Sequence, residues 1–259
     1  MESKLSLPNF TQRALREKTQ YDEVGLERDA YNKVFSHTKY YYHLHRNKIL
    51  CDELQYATGR RVLEIGSQCW VRWMEPYEIE PKALECINIS SKALEKGGEK
   101  AQTSRVKPRF SLMDANHLEF EDESFDMVFG DAILHHLNFV EALDEIRRVL
   151  KPGGRILFCE PLGSNPLGKI VRLITPKART ADEQPLRRRE MAEIRKRFET
   201  TFYYEQFLSV PVGMISKVLF SSPANILMKT TYDLDRFLDS NFSPIRHLYR
   251  NVVIAGVRK

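Results

Sequence analysis

The sequence predicts an α/β fold: a seven-stranded, mostly parallel sheet with helices on both faces, helices in front of it and a helical insertion before the last strands. Three observations carry this. Short apolar runs recur between helical stretches from residue 61 to 160. These runs are continuously apolar rather than alternating, as parallel strands covered on both faces are. Two further strand-like runs, 200–210 and 251–259, stand on either side of a long apolar helical stretch and suggest an antiparallel edge.

Residues 1–60 read as helical. From Asp22 to Tyr56, apolar and aromatic residues recur at three- and four-residue steps without a proline, and Tyr and His are dense (Tyr21, Tyr31, Tyr40–Tyr42, His43, His45). RVLEIG (61–66), ECINI (85–89), RFSLM (109–113), FDMVFG (125–130) and RILFCE (155–160) each read as a buried strand. Between the last two, Val140, Leu143, Ile146, Val149 and Leu150 mark one face of a helix that stops at Lys-Pro-Gly-Gly. Beyond Glu160 the pattern breaks. RRREMAEIRKR (187–197) reads as a solvated helix, TTFYYEQFLSV (200–210) as a strand, 211–240 as apolar helix and NVVIAGVRK (251–259) as the closing strand. The expected organisation is a single domain with a helical front (1–60), a core (61–160), and an insertion with closing strands (161–259).

Composition excludes several classes. With 42% apolar residues, 12 Gly and 12 Pro in 259, the chain is neither disordered nor low-complexity. The longest apolar stretch, Val210 to Met228, is broken by Lys217, Pro211 and Pro223, so no membrane span is expected. The N-terminus lacks the features of a secretory signal, and four scattered cysteines without CxxC predict neither disulfides nor a zinc site; a cytoplasmic setting and no metal are the expectation. A net charge of +5 allows an anionic ligand without calling for nucleic acid.

In open α/β sheets a ligand lies beyond the carboxyl ends of the strands. Here those ends read Glu64-Ile65-Gly66, Asn88-Ile89-Ser90, Asp114-Ala115 and Gly130-Asp131. A glycine turn with a polar residue about 20 positions later is the general arrangement of a nucleotide site, and an adenosine-containing ligand fits it.

The ordered series VLEIG, INIS, DANHLEFEDESFDMVFGDAILHHL and EIRRVLKPGGRILFCEP resembles the class I S-adenosylmethionine-dependent methyltransferases of small-molecule type, strongly over residues 61–160. The resemblance implies a Rossmann-like sheet, S-adenosylmethionine as cofactor, and a division into a cofactor-binding core (61–160) and a substrate-binding insertion with closing strands (161–259). It extends to the N-terminal helices (1–60) as a lid, whose YDEVGLERDAY segment resembles the cofactor lid of small-molecule members. Carried over by position, Glu64 and Gly66 lie beside the methionine part, and Gln68, in the same loop, is expected among the cofactor-binding residues. Asn88 stands where the family has an acid for the ribose, and Ile89 meets the adenine. Asp114 accepts from the adenine amino group, with Ala115 against the ring and Gly130 near the cofactor amine. Tyr21 and Arg46 close over the cofactor from the N-terminal helices, Arg46 facing its carboxylate. Two departures stand out. The usual E/D-x-G-x-G-x-G loop reads Glu64-Ile65-Gly66-Ser67-Gln68-Cys69-Trp70, so Gln68 and Trp70 must redirect the loop or narrow the pocket. Asn88 keeps hydrogen-bonding capacity without the acid's charge.

His135 and His136 follow the fourth strand and open the next helix, where a histidine with its ordinary pKa of about 6.5 suits a general base; Glu160, ending the fifth strand, is placed to orient it or the acceptor. The apolar residues of the insertion, Val212, Met214, Ile215, Val218, Leu219, Phe220, Ile226, Leu227 and Met228, suggest an apolar or aromatic small-molecule acceptor methylated at O, N or C, and Tyr40–Tyr42 read as core and pocket wall. The competing readings are an RNA or protein methyltransferase, disfavoured by the low charge and the absence of an Asn/Asp-Pro-Pro-Tyr motif, and a silent interaction module, admitted by the eroded loop.

Overall fold

The computed structural model describes residues 10–24, 29–66, 68–178 and 180–259. Residues 1–9 of the helical front and 25–28 of its YDEVGLERDAY stretch lie outside the described residues.

The strands are β1 (Arg61–Ile65), β2 (Ala83–Asn88), β3 (Arg109–Leu112), β4 (Phe125–Asp131), β5 (Leu150–Pro161), β6 (Phe198–Glu205) and β7 (Asn251–Arg258). They form one sheet in the order β3-β2-β1-β4-β5-β7-β6. β1 to β5 are mutually parallel, and β7 runs antiparallel to both β5 and β6, so the edge strand β6 is held by β7. The order reverses at β1, which places a crevice beyond the carboxyl ends of β1 and β4.

The period-2 geometry of the strands sorts the core into two layers. Leu63, Ile65, Val128, Ile156 and Phe158 face one side, where α6 (Phe139–Val149) and α8 (Arg188–Arg197) cover them with Leu143, Ile146, Met191 and Ile194. Val62, Met127, Phe129 and Leu157 face the other, under Leu50 and Leu54 of α3 (Tyr40–Leu54) and Trp70 and Trp73 of α4 (Trp70–Trp73). In α6 the buried stripe is Ala142, Leu143, Ile146 and Val149, whereas Val140 is exposed.

Several expected boundaries move. The run 200–210 is not one strand: β6 ends at Glu205 and α9 (Ser209–Leu219) begins four residues on. The switch is fixed by Asp235 of α10 (Ile226–Asn241), whose buried carboxylate accepts from the backbone N–H of Phe207 (2.9 Å), Leu208 (2.8 Å) and Ser209 (3.2 Å), and from the Tyr42 hydroxyl. One acid thus satisfies the donors of a helix start that lacks a local cap. Lys-Pro-Gly-Gly does end α6, but β5 starts at once and contains it. α8 is solvated on one side yet buries Met191 and Ile194. No helix among the described residues is long and apolar enough to cross a membrane.

α1 (Gln12–Thr19), a π-helical turn (Gln20–Val24) and α2 (Asp29–Val34) precede α3. Thr11 caps α1, accepting from Ala14 N–H. α5 (Ser91–Thr103) follows β2 with Ser90 as its cap, and α7 (Pro166–Ile174) follows β5 with Asn165 as its cap.

Candidate active site

A cavity of about 710 Å³ opens at the carboxyl ends of the strands. That lies within the range of small-molecule sites. Of the residues expected there, Tyr21, Arg46, Gly66, Gln68, Asn88, Ile89, Asp114, Ala115, His135, His136 and Glu160 line it. Glu64 and Gly130 do not. Glu64 is buried behind the wall, accepting from the Cys69 backbone N–H and from the Cys86 thiol at 3.3 Å. It therefore shapes the loop after β1 from within. Gly130 is closely packed: a Cβ there would stand 2.9 Å from Ile65 O and 2.7 Å from the Ile133 side chain. Its lack of a side chain lets β1, β4 and the following turn converge.

The unusual loop after β1 keeps its path by other means. Gly66 has φ +82°, and Gln68 takes the left-handed region at φ 51° without being glycine. The Gln68 amide donates to Ala93 O of α5, and its oxygen accepts from Lys100 at 3.1 Å. Trp70 is fully buried in the core and does not narrow the cavity. Asn88 explains itself in the same way: its amide N–H donates to Gly66 O, and its oxygen accepts from Ser90 N–H at 2.8 Å. A carboxylate could not make the first of these bonds.

Asp114, expected on the adenine side, is 2% exposed. Its Oδ1 accepts from the Asn116 N–H (2.9 Å) and side-chain amide (2.6 Å), and its Oδ2 from the Thr11 N–H (2.9 Å) and hydroxyl (2.8 Å). The start of α1 is thereby tied to the end of β3. Along the same front, Asp22 accepts from the Ser90 hydroxyl and Arg13 donates to the His135 carbonyl at 3.0 Å. Residues 10–24 lie across the strand ends.

At β4 and β5 the ionisable groups converge. A 3-10 turn (Leu134–His136) carries both histidines, and α6 begins only at Phe139. Glu160 Oε1 accepts from the N–H groups of Ile133 (2.9 Å) and Leu134 (2.8 Å), while its Oε2 stands 2.6 Å from His135 Nδ1. With an ionised carboxylate there, Nδ1 carries the proton and Nε2 holds the lone pair. His136 Nδ1 lies 3.1 Å from Glu17, whose other oxygen accepts from Thr180, and the Tyr21 hydroxyl is 3.3 Å from His136 Nε2. Burial, reinforced by His135, lowers the His136 pKa despite the Glu17 bond.

His135, His136 and Glu183 bring one potential ligand atom each within 4.8 Å of one another. His135 Nε2 and Glu183 Oε1 are 4.0 Å apart. That is wider than the roughly 3.3 Å between two ligands of one tetrahedral zinc ion.

Several wall residues carry no local motif. Lys39, Glu183, Gln206 and Arg250 all line the cavity. Gln68, Ala132 and Gln206, three of the non-glycine residues with positive φ, sit on this wall, as strained residues at functional sites do. The only signal that could have pointed to Arg250 is its place just before the last strand, beside the end of β5. Conversely, the apolar residues of the insertion do not line the cavity. Met214, Ile215, Val218, Leu219 and Ile226 are exposed on the outside of α9 and α10, and Met228 is buried in packing. Tyr42 is core, but the pocket wall on α3 is His43 and Arg46.

A methyltransferase-domain family model matches residues 63–158. The ubiquinone/menaquinone biosynthesis C-methyltransferase UbiE of Bartonella quintana is 43% identical over 79 residues, 29% of this chain and 30% of that protein. Sarcosine/dimethylglycine N-methyltransferase of Aphanothece halophytica is 29% identical over 119 residues, 44% of this chain and 42% of that one. The chain thus spans less than half the length of these curated relatives. Among solved structures, geranyl diphosphate C-methyltransferase of Streptomyces coelicolor A3(2), in complex with Mg²⁺, geranyl diphosphate and S-adenosyl-L-homocysteine, superposes with a TM-score of 0.58 at 14% identity over 84% of this chain and 81% of that chain.

Proposed function

We propose that this chain, whose residues 63–158 match a methyltransferase-domain model, is a class I S-adenosylmethionine-dependent methyltransferase and that it methylates a small molecule held between β4, β5 and β7. The observation that carries the reading is the His135–Glu160 pair on the cavity wall. The residues present fit the cofactor by the chemistry of their donors. Ile65, Ile87, Ile89, Ala115 and Leu137 offer an apolar slot for a flat base between the ends of β1 and β3, with Asp114 and Asn116 at its rim. Asp114 already accepts four hydrogen bonds, so a base amino group reaches it by displacing the Thr11 hydroxyl. When bound, S-adenosylmethionine supplies a methyl group activated by a sulfonium.

The remaining steps belong to the protein. Glu160, fixed by two backbone N–H groups, holds His135 in the tautomer whose Nε2 can take a proton from an acceptor hydroxyl or amine. Glu160 also steadies the imidazolium that results, as does Glu183 at 4.0 Å. Such a base is worth roughly 10²–10⁴-fold. Residues 10–24 exclude water and hold the reactants at near-attack distance through Thr11, Glu17, Tyr21 and Asp22. Arg46 is committed to Glu205, which argues that it orders the wall rather than gripping the cofactor carboxylate alone.

The test is calorimetry with S-adenosylhomocysteine, followed by kcat against pH for the parent, His135→Ala and Glu160→Gln on acceptors found by screening. Saturable binding and an acid limb that vanishes in His135→Ala are expected. No heat at millimolar ligand would refute the cofactor site, and identical pH profiles would refute the base.

A further inference from the structure

Two helices outside the cavity bury the side that a surface helix normally shows to water. In α9 the inward residues are Ser209, Val210, Gly213 and Ser216, whereas Met214, Ile215, Val218 and Leu219 are exposed, Val218 to 85%. α7 repeats the pattern: Gly168 and Val171 are buried, and Ile170, Leu173 and Ile174 face outward. A helix on a water-washed surface turns its large apolar side chains inward and its polar ones outward. Single exposed apolar residues need no explanation, but a whole helix face of them does.

The inversion is held in place by specific contacts. Gly213 lies against Thr38, where a Cβ would run into the hydroxyl, and that hydroxyl donates to Ser209 O at 3.2 Å. Ser216 Oγ stands 3.1 Å from His37 Nδ1 and accepts from the Asn225 amide at 2.8 Å. Asn225 also donates to Ser222 O at 2.7 Å and caps α10, accepting from Met228 N–H at 3.0 Å. The turn between α9 and α10 is thus pinned from its polar side, and Leu219, Phe220 and Ile226 stay exposed on it. Val171 and Val210 cluster with Phe35, so α7 and α9 are seated on one segment of the helical front.

Charge says what covers this face. The chain has 35 Asp and Glu in 259 residues, yet none in 162–178 or 206–232, the stretches that hold α7 and the α9–α10 turn. Exposed lysines stand among the apolar residues instead, Lys169 on α7 and Lys217 on α9, the latter donating to the Lys33 carbonyl at 2.8 Å. A second copy of the same face would bring lysine towards lysine. An anionic bilayer meets the lysines with opposite charge and takes up the apolar side chains between them. α9 has 11 residues, about 16 Å of helix against about 30 Å of hydrocarbon, so the contact lies on the bilayer and does not cross it. We infer that the α9–α10 hairpin docks on an anionic lipid surface, with Val218, Leu219 and Ile226 entering the headgroup boundary and α7 adding to the contact. Lys39, next in the chain to Thr38, lines the cavity, so docking holds the cavity wall close to the membrane. The inference does not rest on the methyltransferase reading.

The whole chain is floated with vesicles of phosphatidylcholine alone and of phosphatidylcholine with phosphatidylglycerol in equal parts, at low and high salt. The same is done for the double variant Val218→Ser, Leu219→Ser, for Lys217→Gln, and for Val140→Ser, an exposed apolar position on α6. The parent should float with the anionic vesicles and bind neutral ones about tenfold more weakly, with the difference shrinking at high salt. The double variant should lose about tenfold or more and Lys217→Gln a few fold, while Val140→Ser binds as the parent does and all variants keep the parental Tm. In Val218→Trp the new indole reports the contact independently of any loss of binding, since Trp70 and Trp73 are buried. Its emission should shift to the blue with anionic vesicles and be quenched by brominated lipid. No flotation of the parent, parental binding by the double variant, an equal loss in Val140→Ser, or an unshifted indole overturns the inference. So does a dimer in sedimentation that the double variant dissolves, because the face would then belong to a second copy.

Discussion

On the β1–β3 side of the cavity, polar side chains bond inward: Gln68 to α5, Asn88 to Gly66 and Ser90, Asp114 to Thr11 and Asn116. On the β4–β7 side the wall keeps ionisable groups, with His135 Nε2 opposite Glu183 and Lys39 and Arg250 beyond it. The first half is a frame whose shape is fixed before any ligand arrives, and the second half is where protons and charges can move. A methylating enzyme needs this division, because its cofactor brings the reactivity and its acceptor must be chosen, oriented and deprotonated.

If the division is real, mutations on the two sides should fail differently. The largest effect belongs to His135→Ala, with kcat reduced by about 10²–10⁴-fold and S-adenosylhomocysteine affinity held within a few fold, as read by steady-state kinetics and calorimetry. A parallel loss of both would dissolve the contrast. Next comes Asp114→Ala, which should weaken S-adenosylhomocysteine binding by about 1.5–3 kcal/mol with a smaller change in kcat at saturation. Parental affinity there would mean that Asp114 serves only the start of α1.

A smaller effect sharpens the frame itself. Asn88→Asp restores the acid common in the family but sets a carboxylate against Gly66 O, so it should destabilise the fold by about 1–2 kcal/mol, read as a lower Tm. Tighter cofactor binding without a Tm loss would instead make Asn88 a plain ribose ligand. The smallest effect is on the acceptor side. The folded-state pKa of His43, about 4, lies below its ordinary value of 6.5, so the folded chain favours the neutral ring. Its contribution to stability is complete above pH 6.5 and is lost as pH falls towards 4. Urea midpoints should decline across that window in the parent and decline less in His43→Gln.

Much of this was legible in the chain itself, for a physical reason. Strands buried on both faces read as continuous apolar runs, and the residues that end them, such as Asn88, Asp114 and Glu160, inherit their place at the crevice from the sheet. Glu64 sits one residue short of such an end, and the loop that folds back to let Cys69 bond it cannot be read locally. The same holds for the start of α9, where the capping acid is Asp235, far along the chain. Arg250 and Lys39 were invisible because their meeting depends on β7 entering beside β5. The apolar residues of 212–228 were legible as apolar but not as outward-facing, since a helix pattern alone does not say which side meets the protein.

The position of β7 also shapes how the molecule is made. Until residues 251–258 emerge from the ribosome, β5 ends the sheet with an unpaired backbone edge, and β6 has no strand to join. The chain must therefore carry an open, apolar edge through the synthesis of both α9 and α10, a window in which edge-to-edge association is the competing reaction. Closure by a strand so distant in sequence raises the contact order and slows the last step of folding. The same event brings Arg250 to the cavity wall, so a nascent chain completes that wall only when its sheet is sealed.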